Sequence, residues 1–174
     1  MPKKVTLNDE KIVDDWFVSV EGGQGRGLEV YKLTMELIQK SEVPEITAEE
    51  VMVRPSWLAG LFGRKRPYLM VRNRNLKDYR IYIGAGDFGD TLNVSFYFTC
   101  EPSFLKRIIF GLGKGMEAHE EIYLGLDLFQ QQNLLDYASH VHQCLLKAVE
   151  MVIEDLGQDS SGIDKKFKGF LGVT

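Results

Sequence analysis

The strongest chemical bias in the chain lies between Arg54 and Arg80. Arg54, Arg64, Lys65, Arg66, Arg72, Arg74, Lys77 and Arg80 are set against one acid, Asp78, so the segment carries +7. The whole chain carries −4, which leaves −11 for the remainder. Clustered cations of this kind suit phosphates, nucleic acid or an acidic protein partner, because they displace the counterions of a polyanion. Trp57, Phe62, Tyr68 and Tyr79 are interleaved with them as candidate aromatic contacts. Aromatic rings and guanidinium planes on a sheet stack on unpaired bases. The competing reading makes the arginines outward positions of strands and turns, paired with the acidic remainder. No RNP-like or GXXG sequence accompanies them.

Other constellations are weaker. Residues 57–66 and 104–114 each combine apolar residues with cations, as segments that dip into a membrane interface do. Neither spells a full interfacial helix, and closing the open end of a sheet is the simpler role. Gly22, Gly23, Gly25 and Gly27 precede a helix but fit GxGxxG in no register, and no GxxxxGK[ST] is present, so a turn or hinge is expected there. Asp87-Phe88-Gly89 matches the kinase magnesium motif only as a tripeptide and reads as a hairpin turn. His140 and His142 lie roughly 160° apart around a helix and cannot chelate one ion together. Cys144 stands four residues after His140 and can pair with it, but two ligands do not make a metal site. There is no HExxH and no GxSxG, and neither Cys100 nor Cys144 has the context of a nucleophile. No catalytic residue, metal or cofactor is implied.

Several elements must position these residues. Asp127 to Gly157 reads as one helix roughly 45 Å long. Leu134, Ala138, Val141, Leu145, Ala148, Val152 and Leu156 line one face, and Asp136, His140, Gln143, Lys147, Glu150 and Glu154 the other. Asp127 with Gln130 suggests a capping box, and Gly157 a left-handed stop. Strands are expected at 49–54, 68–72, 79–85 and 92–100, joined by turn-rich connectors at 73–78 and 86–90. In the last strand Leu92, Val94, Phe96 and Phe98 alternate with Asn93, Ser95, Tyr97 and Thr99, so one face belongs to a core and the other is wetter. Leu28 to Lys40 reads as an amphipathic helix. Thr6 to Val20 also reads as a helix, with a short strand at 16–20 as the alternative. Residues 104–112 fit strand or helix, and 121–126 a final strand.

The expected fold is therefore α+β: four or five antiparallel strands packed on the long C-terminal helix, with two shorter helices at the N-terminus. Residues 1–159 form one domain and 160–174 a weakly ordered tail. This element order resembles the helix-grip architecture, which implies a small-ligand carrier, or an enzyme built on one, with an apolar cavity lined by residues such as Phe96, Phe98 and Val141. The hydrophobic fraction of 44% supports a core without disulfides or metal. Two distant cysteines and no apolar leader after Met1 point to a reduced, cytoplasmic setting, and no run approaches the ~20 apolar residues of a transmembrane helix. The expected function is a non-catalytic binding module that presents the Arg54–Arg80 surface to a polyanion or acidic partner. The alternatives are the small-ligand carrier and a structural subunit that associates with a partner or with its own copies.

Overall fold

The computed structural model describes residues 3–6, 11–54, 66–101 and 126–164. Their elements run β1 (Lys3–Thr6), β2 (Lys11–Val20), α1 (Gly27–Lys40), β3 (Ile46–Arg54), β4 (Arg66–Asn73), β5 (Tyr79–Phe88), β6 (Thr91–Cys100) and α2 (Leu128–Asp155). The strands form one sheet in the order β1-β3-β4-β5-β6-β2. Five of them are antiparallel to their neighbours, and β1 adds a parallel sixth beside β3. The class is α+β, as the sequence suggests.

The first helix expected from the sequence is a strand. Lys11–Val20 pairs antiparallel with β6 along its whole length, with a bulge between Ile12 and Asp14. Trp16 and Val20 point to the helices and are buried, whereas Phe17 points away and is exposed. β-branched and aromatic residues at alternating positions favour a pleated surface. Among the described residues there are accordingly two α-helices rather than three. α1 leaves the β2 edge and crosses the sheet to reach β3, packing on α2 and β5 as it goes.

α2 begins where Asp127 caps it. The Asp127 carboxylate accepts from the Gln130 backbone N–H at 2.8 Å, and the Gln130 side chain accepts from the Asp127 N–H at 3.2 Å. It ends before Gly157, whose φ of +71° provides the left-handed turn. The core lies between this helix, α1 and one face of the sheet: Leu69, Ile81, Ile83, Phe96 and Phe98 meet Val30, Tyr31, Leu134, Val141 and Leu145. His142 is buried here, edge-on to Trp16 at 5.1 Å and to Phe96 at 5.3 Å. Ile163 packs on the same core, and the Trp16 indole N–H donates to the Asp164 carbonyl at 2.6 Å. Residues 165–174 of the expected tail lie outside the described residues.

The opposite sheet face is less wet than alternation alone suggests. Val51, Val53, Met70 and Tyr82 form a second buried cluster there, flanked by Tyr68 and Tyr97. The two faces still follow strand parity, with Leu69 and Val71 toward the helices and Met70 and Arg72 away from them.

Candidate functional site

The β4–β5 connection brings basic residues together. β4 delivers Arg72, the turn at 73–78 carries Arg74 and Lys77, and β5 begins with Arg80 after Tyr79. Arg72 and Arg80 are register partners on the face away from the helices. Together with Thr47, Asn73 and Asn75, these four cations line a groove of about 650 Å³. The turn is pinned from both sides: the Arg74 N–H donates to the Glu45 carbonyl at 2.9 Å, and the Asn73 side chain accepts from the Asn75 N–H at 2.8 Å.

The four cations are not equivalent. Arg72 is hydrogen-bonded to Glu49 across the β3–β4 pair, and Arg80 to Glu101. These contacts match the reading in which the arginines are salt-bridged strand positions. Arg74 and Lys77 are exposed and make no ion pair among the described residues. The unneutralised positive charge of the groove therefore resides on those two.

Arg66, Tyr68 and Tyr79 do not line this groove. Arg66 is exposed at the far end of β4, roughly 20 Å along the strand from Arg72. Arg54 ends β3, and its side chain lies outside the described residues, as do Arg64, Lys65, Trp57 and Phe62. The segments 104–112 and 121–125 lie outside them too. Tyr68 is half-buried with its ring over Gly84, where an added Cβ would come within 2.8 Å of the ring. Tyr79 belongs to the core: it is 3% exposed and stacks on Phe98 with ring centroids 5.8 Å apart. Burial pushes its hydroxyl well above the usual tyrosine range. Strand parity explains this, because Tyr79 and Arg80 must point to opposite faces.

A second cleft, of about 680 Å³, lies on the helix side of the same turn. The α1–β3 loop, the turn and the first half of α2 enclose it. From α2 come Gln130, Asn133, Asp136, His140 and Gln143, one stripe at three- and four-residue spacing. Glu45 and Asp78 add carboxylates, and Asn73, Asn75 and Lys77 border this cleft as well as the basic groove. Glu45 holds a left-handed backbone at φ +70°, unusual for a residue with a side chain. The sequence had no means of signalling this cleft, because its walls come from three segments that only folding brings together.

The cleft's edge carries the most enzyme-like arrangement among the described residues. His140 Nε2 lies 2.8 Å from Ser41 Oγ and 3.7 Å from Cys144 Sγ. The Ser41 hydroxyl already donates to the Ile38 carbonyl at 2.6 Å, so it accepts from His140. A serine whose proton is committed to a carbonyl is not being activated by the imidazole. Burial also pushes the Cys144 thiol up and His140 down, the reverse of a thiolate–imidazolium pair. The contact ties α1 to α2. Among the described residues no three His, Cys, Asp or Glu side chains gather as metal ligands.

The glycine loop is also committed. Both Asp87 carboxylate oxygens accept from the Gly25 N–H at 3.1 Å, so a protein carboxylate occupies that donor. Arg26 then joins Glu29 and, at 2.6 Å, Asp155, fastening the start of α1 to the end of α2. Phe96, Phe98 and Val141, the residues expected around an apolar ligand, are fully buried in the core and line neither cleft. No helix among the described residues is long and apolar enough to cross a membrane. Comparison with protein-family models, with curated proteins and with solved structures returned no match.

Proposed function

We propose that this chain is a non-catalytic binding module that takes a polyanion in the groove between Arg72 and Arg80. The observation that carries the reading is the gathering of Arg72, Arg74, Lys77 and Arg80 on one concave surface of an otherwise acidic chain. Concavity matters because low-dielectric walls focus the field of the cations they hold. Two of the four are free of carboxylates among the described residues, so a phosphate there need not displace an existing ion pair. The filled interior around Phe96 and Phe98 favours this reading over an apolar-ligand carrier. A reducing compartment is the setting we assign, since Cys100 and Cys144 are both buried and not joined in a disulfide.

Fluorescence anisotropy with labelled single-stranded oligonucleotide, inorganic polyphosphate, an acidic peptide and anionic-lipid vesicles tests it. Binding to at least one polyanion that Arg74→Glu with Lys77→Glu abolishes is the expected result. Selection of the acidic peptide alone would identify a protein partner. Indifference of all four probes to the double charge reversal would refute the proposal.

A further inference from the structure

We infer that the ligand is built on a nucleotide unit, with its phosphate in the basic groove and its base and ribose in the carboxamide cleft across the 73–78 turn. The inference rests on the polyanion reading and adds the uncharged part of the ligand. The two depressions share a wall, since Asn73, Asn75 and Lys77 border both, so a molecule of modest size reaches from one into the other. At about 680 Å³ the cleft falls within the range of small-molecule sites, ~300–1,000 Å³.

The chemistry of the two sides is complementary. The cleft presents the carboxamides of Gln130, Asn133 and Gln143 from one stripe of α2, and those of Asn73 and Asn75 from the turn. Asn75, Asn133 and Gln143 present both donors and acceptors, the combination that reads base edges and ribose hydroxyls, whereas the Gln130 and Asn73 oxygens already accept from the Asp127 and Asn75 N–H groups and leave their NH2 donors to a ligand. Glu45, Asp78 and Asp136 stand in the same cleft and accept from hydroxyl and amino groups. They also repel phosphate. The phosphate is thereby driven to the Arg74–Lys77 side and the neutral head to the α2 side, which gives an asymmetric ligand a single orientation. Polyphosphate and acidic peptides carry charge along their whole length and match only the groove.

The test compares adenosine monophosphate, a single-stranded RNA of about ten nucleotides and inorganic polyphosphate, titrated against wild type, Asn133→Ala/Gln143→Ala and Arg74→Glu/Lys77→Glu. Asn133 and Gln143 are exposed on α2, so their truncation leaves the core intact, and circular dichroism verifies the fold. The carboxamide variant is expected to weaken nucleotide binding about tenfold while polyphosphate binding stays unchanged. The charge reversal is expected to weaken both. A mononucleotide that binds as well as the RNA marks a free nucleotide as the source, and preference for the RNA marks a single strand; both uphold the inference. Equal binding of RNA and polyphosphate, with neither sensitive to the carboxamide variant, overturns the nucleotide assignment and leaves the polyanion reading standing. No binding by any probe overturns both.

Discussion

His142 illustrates how a single residue changes meaning once its neighbours are known. Its position on the long helix places it away from His140, and the fold then closes Trp16 and Phe96 over it. Burial penalises the imidazolium and pulls its pKa from about 6.5 down to about 4. Between those values the unfolded chain holds the proton and the folded chain does not, so stability is complete above the unfolded value and falls as pH drops toward 4. By this residue alone, the loss at pH 4.5 is on the order of 2 kcal/mol. Urea unfolding at pH 7 and pH 4.5 is expected to show a smaller loss for His142→Phe than for wild type, by about that amount. Equal pH sensitivity of the two proteins would dismiss the burial argument.

At the scale of elements, Tyr31 decides how β4 and β5 separate. Their pairing runs from Arg72–Arg80 to Leu69–Ile83, and the same register would oppose Tyr68 to Gly84 and then Pro67 to Ala85. The Tyr31 hydroxyl takes that place instead. It donates to the Pro67 carbonyl at 2.9 Å and accepts from the Ala85 N–H at 2.9 Å. One side chain from α1 thus satisfies two backbone groups and holds the helix against the sheet, while burial pushes its pKa up to about 12. Tyr31→Phe leaves both groups unsatisfied and is expected to cost about 2 kcal/mol. Thermal unfolding measures the loss, and faster amide exchange at Ala85 locates it. An unchanged melting temperature would mean that the two strands close the gap themselves.

At the scale of the whole molecule, the proposed function rests on charge that is segregated but only partly neutralised. Binding of a single strand is expected to weaken with salt, each engaged cation contributing about −0.7 to the slope of log K against log salt. Arg74→Ala and Lys77→Ala should each flatten the slope by that amount. Arg72→Ala and Arg80→Ala should flatten it less, since Glu49 and Glu101 already balance those charges. Arg66→Ala should change little, because roughly 20 Å of strand exceeds the Debye length of about 8 Å at physiological salt. Equal slopes for all five variants would mean that the charge acts diffusely, without a groove.

By itself the sequence determined the elements whose signal is local. The long helix, its Asp127–Gln130 box, the Gly157 stop, α1 and strands β3 to β6 all follow from periodicity and end chemistry carried within each segment. The basic hairpin is equally local, since Arg72, Arg74, Lys77 and Arg80 are tied by one turn. Tertiary structure alone decided the rest. Ile12, Trp16, Phe17 and Val20 satisfy a helical spacing as well as a strand, and pairing with β6, some 80 residues later, settled the matter. It gave Arg72 and Arg80 their carboxylates and turned Tyr79 inward. It also assembled the carboxamide cleft, whose walls are adjacent only because α1, the turn and α2 pack on a common core. Periodicity records which side of an element is apolar, whereas the identity of the neighbour across that side depends on contacts between segments far apart in the chain.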